Sequence, residues 1–157
     1  MTFSEQLADD IRRLHFGKSW VATDLKTQLA DVSWEEAMTK ISSLNTIMAL
    51  TYHIHYYFAG VLNVMHGGDL TIRDKFSFDH PTINSQEDWE KFLDLVWKTA
   101  ETFAKETAQM DGERLESLMT EEKYGSWFRN VLVILEHAQY HLGQIVLLKK
   151  LIREGQA

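Results

Sequence analysis

The run Trp127-Phe128-Arg129-Asn130-Val131-Leu132-Val133-Ile134-Leu135-Glu136-His137-Ala138-Gln139-Tyr140-His141-Leu142-Gly143-Gln144-Ile145-Val146-Leu147-Leu148 decides the fold class. It reads as one helix from about Ser126 to Arg153, apolar nearly all round. A helix without a polar face is buried on more than one side. In a helical bundle that asks for a second covering surface, so a homodimer is expected. Within this apolar run, Asn130, His137, His141 and Gln144 fall on one line, spaced by three, four or seven residues. Buried polar groups must be satisfied, at a cost of about 1–3 kcal/mol for each that is not.

His137 and His141 lie just over one turn apart, so both imidazoles leave the same face of the helix. Two such nitrogens can share a divalent metal. The spacing alone does not decide it, because seven histidines in 157 residues yield roughly 0.3 such pairs by chance. The competing reading is two core histidines bonded to backbone or to tyrosines. A third ligand would come from Tyr52-His53-Ile54-His55, in another helical stretch. His53 and His55 point about 200° apart on a helix, so only one of them can face a given site. Apolar neighbours at helical spacing accompany both, and the pattern leaves that choice open.

The rest of the chain reads as helix as well. One proline, Pro81, and no alternating run of Val, Ile or Thr favour an all-α protein, and 157 residues suit a single domain, 1–157. Thr2-Phe3-Ser4-Glu5 and Ser33-Trp34-Glu35-Glu36 are capping boxes that open helices. The first carries Leu7, Ile11 and Leu14 and ends at Gly17. A short helical piece is expected over Trp20 to Asp31, a long helix over Leu44 to Met65 stopped by Gly67-Gly68, and another over Gln86 to Met110. The last of these has Trp89, Phe92, Leu93, Val96, Ala100 and Phe103 as its stripe. A short helix is expected over Leu115 and Leu118. Residues 69–85 form a long connection, the kind that often carries function, and Asp79 and His80 lie in it. His15 and His66 read as surface or helix-end residues, and Trp20 and Trp34 as packing residues. Tyr56 and Tyr57 fit a core or interface stripe, or the lining of the site.

Composition excludes several functions. A net charge of −7 with no basic face argues against nucleic-acid binding. The absence of cysteine removes disulfides and any thiolate nucleophile. No secretory leader is visible and no apolar stretch reads as membrane-spanning, so a soluble cytoplasmic protein is expected. Ala138 after His137 rules out the His-Glu-x-x-His arrangement of metalloproteases. No Glu-x-x-His pair exists for a di-iron bundle, and there is no Gly-x-Ser-x-Gly or glycine-rich phosphate loop.

Leu44-Asn45-Thr46-Ile47 leading to Tyr52-His53-Ile54, with Gly67-Gly68 fourteen residues after that histidine, resembles the second helix of the DinB-like superfamily. Glu136-His137-Ala138-Gln139-Tyr140-His141-Leu142-Gly143-Gln144-Ile145 is similar to its closing motif, His-x-x-x-His-x-Gly-Gln. The likeness spans nearly the whole chain. It implies a four-helix bundle with short extra helices, usually dimeric, and a divalent transition metal such as Zn²⁺ or Ni²⁺ held by His53, His137 and His141. His53, not His55, matches the family position. Asn130 and Gln144 are then candidates to orient the ligands. The family's label records induction by DNA damage or stress, not DNA binding. Relatives of known activity include transferases that use low-molecular-weight thiols. The expected function is attack of an external thiol or hydroxide on a small electrophile. The alternative is a non-enzymatic dimeric module with a structural metal or none. A third reading, haem between two histidines, has no sequence feature that demands it.

Overall fold

The computed structural model describes residues 1–155. Seven α-helices appear among them and no strand. Four are long: α1 (Phe3–Phe16), α4 (Ile47–Met65), α5 (Gln86–Ala108) and α7 (Trp127–Arg153). Three are short: α2 (Leu25–Leu29), α3 (Trp34–Met38) and α6 (Gly112–Glu116). Each long helix packs on two others, in the cyclic order α1, α5, α4, α7.

Local chemistry sets the helix starts. In α1 the Thr2 hydroxyl accepts from Glu5 N–H at 3.1 Å while Thr2 N–H donates to the Glu5 carboxylate at 2.7 Å. Ser33 and Glu36 repeat this reciprocal pair at α3. Thr46, Ser85 and Ser126 cap α4, α5 and α7. These bonds satisfy N–H groups that have no partner inside the helix. Gly17, at φ 111°, closes α1, and Gly67, at φ 86°, follows the end of α4. The α5 stripe is buried as read, with Trp89 fully enclosed and its indole donating to Val32 O at 2.9 Å.

Four expectations fail for identifiable reasons. The Trp20–Asp31 piece shrinks to α2, because the Asp24 carboxylate accepts from Thr27 N–H and starts the helix there. Trp20 is consequently 94% exposed and packs on nothing; Trp34 does lie against the core. Leu118 lies outside α6, in an isolated bridge with Ser126, and is exposed. His15 is not a surface residue: it lies one turn after Ile11 on the apolar face of α1 and is 1% exposed. Its Nδ1–H donates to Ile11 O at 2.8 Å and its ring stands edge-on to Phe58. His66 is the helix-end residue expected, closing α4 beside Glu106.

The last helix departs from its sequence reading in two respects. By length and composition α7 is apolar enough to cross a membrane, although 44% of its most apolar stretch is buried within the fold. Its apolar girdle is also only half used. Val131, Ile134, Leu135, Ala138, Leu142, Ile145 and Leu148 are buried, whereas Leu132, Val133, Tyr140 and Leu147 face outward.

Candidate metal centre

His53 comes from the middle of α4, and His137 and His141 from the middle of α7, where the two helices pack together. The ligand atoms of the three imidazoles all lie within 4.8 Å of one another. His137 Nε2 is 3.0 Å from His53 Nε2 and 2.9 Å from His141 Nε2. Nitrogens around a tetrahedral zinc, at about 2.0–2.1 Å from the ion, are themselves about 3.4 Å apart. Small side-chain adjustments suffice to fit that geometry.

The outer nitrogens show what this cluster is built for. His53 Nδ1 lies 3.2 Å from Ser77 O. A carbonyl only accepts, so that nitrogen carries the proton and Nε2 carries the lone pair. His141 Nδ1 lies 2.6 Å from Gln144 Oε1. The Gln144 amide is oriented by its own Nε2, which donates to Tyr140 Oη at 3.1 Å. Assigned from these partners, His141 also directs a lone pair inward. His137 Nε2 can hold at most one proton for its two neighbours. One contact therefore always opposes two lone pairs unless a cation lies among them, so the donor set fits a divalent ion.

Burial disfavours charge on two of the three imidazoles, His53 and His137. Loss of solvation, then the nearby His141, lowers the His53 pKa, against a smaller upward pull from the Ser77 carbonyl. Burial pushes His137 down to about 4, assisted by His141 and His53. Neutral imidazole is the form that ligates.

Aromatic rings hold the imidazoles in place. Phe78 stacks on His53 at 4.0 Å with only 7° between planes. Tyr57 stands edge-on to both His53 and His137. Its hydroxyl donates to Asp74 Oδ1 at 2.9 Å, and its ring helps line an apolar notch of about 190 Å³ with Val133, Ile134 and His137. On the other side a cleft of about 290 Å³ runs between Leu44, Asn45, Gln144 and Leu147. The roomiest surface depressions, about 670 Å³ beside Phe3 and Phe128 and about 620 Å³ beside Arg73 and Lys123, are lined by none of the three histidines. Donor chemistry, not volume, locates the site.

The remaining candidates divide cleanly. His55 turns away, edge-on to Phe92 of α5. Gln144 holds a ligand, as its place on the stripe suggested. Asn130 does not: its amide donates to Tyr124 O at 3.0 Å and Ser126 O at 2.8 Å, closing the entry to α7. His80 bonds the carbonyl of Pro81 and lies beside Tyr52. The long connection does reach the centre, but through Asp74, Ser77 and Phe78. A backbone carbonyl leaves no trace in a sequence, so Ser77 had no signal to find; Phe78, an aromatic next to the noted Asp79-His80, had a weak one.

Compared with family models, curated proteins and solved structures, the chain matches none.

Proposed function

We propose that this chain is a metal-dependent enzyme of the DinB-like four-helix-bundle type. In this reading it transfers a low-molecular-weight thiol, or hydroxide, to a small electrophile. The observation that carries it is the convergence of three imidazole Nε2 atoms, with the outer nitrogens of His53 and His141 anchored on Ser77 O and Gln144. A divalent first-row ion, Zn²⁺ or Ni²⁺, supplies Lewis acidity that brings a water or thiol proton toward neutral pKa. The chain itself disfavours charge on His53 and His137 by burial, and orients His53 through Ser77 O and His141 through Gln144. Among the described residues no fourth His, Asp or Glu joins the cluster, so a coordination position would be left for a reactant. With no cysteine in the sequence, any thiol arrives as a cosubstrate. The apolar notch at Val133, Ile134 and Tyr57 suits a small, weakly polar electrophile next to His137.

Elemental analysis tests the metal, and turnover tests the chemistry. About one transition-metal ion per chain is expected, and none in a His137→Ala/His141→Ala variant. A panel of small thiols and electrophiles, run with the loaded protein, is expected to show turnover that the variant lacks. Metal without turnover supports a structural metal in a non-enzymatic module. No metal after incubation with Zn²⁺ or Ni²⁺ ends the enzyme reading and leaves the non-enzymatic module, without a metal.

A further inference from the structure

Residues 69–78 are laid back along α4 by a single stripe of its residues. His53, Tyr56, Tyr57, Gly60 and Asn63 follow helical spacing and share one face. At the far end Asn63 Nδ2 donates to Asp69 O at 2.9 Å. The Tyr56 hydroxyl then makes a two-way bond with the backbone of Arg73. It accepts from Arg73 N–H at 2.8 Å and donates to Arg73 O at 3.1 Å. Tyr57 takes the Asp74 carboxylate, and His53 takes Ser77 O. The segment thus runs antiparallel to α4, from its C-terminal end back to the metal centre.

Gly60 is where the segment comes closest. Ile72 lies over it, and a Cβ at position 60 would collide with Ile72 Cγ2. Glycine is a poor helix former, and here the missing Cβ makes room for the crossing backbone. Little else secures the segment. Arg73, Lys75, Phe76 and Phe78 are exposed, and Leu70 and Ile72 are only partly buried against the core. A segment with few buried apolar contacts opens locally at low cost. Its last attachment is Ser77 O on His53 Nδ1, with Phe78 stacked on the ring. That attachment also turns His53 Nε2 toward His137.

We propose that residues 69–78 are a strap whose docking on α4 and the occupancy of the metal centre stabilise each other. Gly60 and Tyr56 are positioning residues in this device: neither bonds a ligand, and both act through Ser77. The proposal rests on the metal reading above. With the strap docked, the Ser77 carbonyl keeps the proton on His53 Nδ1 and the lone pair on Nε2. With the strap released, that ring is free to turn and to exchange tautomer. A metal on Nε2 in turn holds the Nδ1–H toward Ser77 O. Such coupling is reciprocal, so the factor by which strap release weakens the metal equals the factor by which the metal favours docking.

Two measurements on the full chain test the coupling: Zn²⁺ affinity by competition with a chromophoric chelator, and trypsin cleavage after Lys75 with and without Zn²⁺. Gly60→Ala is expected to lower Zn²⁺ affinity about tenfold, with helicity by circular dichroism kept, because alanine is the better helix former. Tyr56→Phe keeps the ring, loses both bonds to Arg73, and is expected to lower affinity about fivefold. In a chain already carrying Ile72→Ala the collision is relieved, so adding Gly60→Ala costs little more. Zn²⁺ is expected to slow cleavage at Lys75 about tenfold, and to leave cleavage at Lys18, exposed in the turn after α1, unchanged. Equal affinity in the wild type, Gly60→Ala and Tyr56→Phe overturns the proposal. So does cleavage at Lys75 that ignores bound Zn²⁺, or a Gly60→Ala penalty that persists beside Ile72→Ala. Each of these results, with Zn²⁺ bound, defeats the strap alone and leaves the metal reading standing. A wild type that takes up no Zn²⁺ ends the metal reading, and the strap proposal falls with it.

Discussion

Two groups of buried histidines lie on different faces of α4, and they differ in what holds the second ring nitrogen. On one face His53 meets His137 and His141, with Ser77 O and Gln144 fixing the outer nitrogens and the inner lone pairs converging. On the other, His15 and His55 are both buried, and charge on His55 disfavours charge on His15. There His15 spends its Nδ1–H on its own helix at Ile11 O, and His55 Nδ1 has no partner at all. Among the described residues no third His, Asp or Glu forms a ligand cluster with them. His15 shows that burial and one anchored ring nitrogen do not make a ligand; what sets the first face apart is that three imidazoles turn their remaining nitrogens toward one another.

The largest effect that can break this contrast is on metal affinity. His53→Ala, His137→Ala and His141→Ala are each expected to lower Zn²⁺ affinity by more than the about 10–100-fold of an outer-shell change. His55→Ala is expected to leave it near wild type, measured by competition with a chromophoric chelator. Loss of metal in His55→Ala, with helicity intact, would erase the distinction between the two faces.

Acid sharpens the other side of the comparison. Burial lowers the His15 pKa from 6.5 to about 4; the Ile11 carbonyl and Asp24 pull it up slightly, and His55 pushes it further down. The folded chain therefore holds His15 neutral where the unfolded chain takes up a proton. Its contribution is fully present above about pH 6.5 and is lost as pH falls toward 4, amounting to about 3 kcal/mol. Urea unfolding across that window should show the decline, and His15→Leu should flatten it by a similar amount. An equally steep decline in His15→Leu would place the acid sensitivity elsewhere.

The sequence carried the parts of this molecule that depend on periodicity and caps. The starts expected for α5 and α7 agree with the caps at Ser85 and Ser126, whereas α4, expected from Leu44, begins only at Ile47, after the Thr46 cap. The pairing of His137 with His141 follows from helical spacing. The choice of His53 over His55 did not, because both sit among apolar neighbours; it rested on resemblance until the packing placed one against α7 and the other against α5. His15 was misread because a polar residue name outweighed its place one turn after Ile11. Trp20 was misread because a large apolar side chain was assumed to pack, although Asp24 starts the helix too late to carry it inward. Ser77 acts through its carbonyl, which no side-chain pattern encodes.

Within the centre the next effect is smaller. Gln144→Ala removes the acceptor from His141 Nδ1 and the donor to Tyr140 while leaving every ligand in place. An outer-shell loss of about 10–100-fold in metal affinity is expected, with little change in stability. Gln144→Glu, which keeps an acceptor, should recover most of it. An affinity untouched in Gln144→Ala would mean that packing against Tyr140 and the other two imidazoles, not the hydrogen bond, orients His141.

Asn130 gives the smallest effect and the cleanest control, because it lies on the same helical line as Gln144 yet does a different job. Its amide joins Tyr124 O and Ser126 O, the two carbonyls that turn the chain into α7. Asn130→Ala forfeits both bonds but gains a better helix former, so a net loss of about 1 kcal/mol is expected in urea unfolding. Metal affinity should not move, because the amide touches no ligand. If Asn130→Ala lost metal as Gln144→Ala does, the turn before α7 would be setting the pitch of His137 and His141, and the ligand geometry would depend on how the helix begins as much as on what surrounds it.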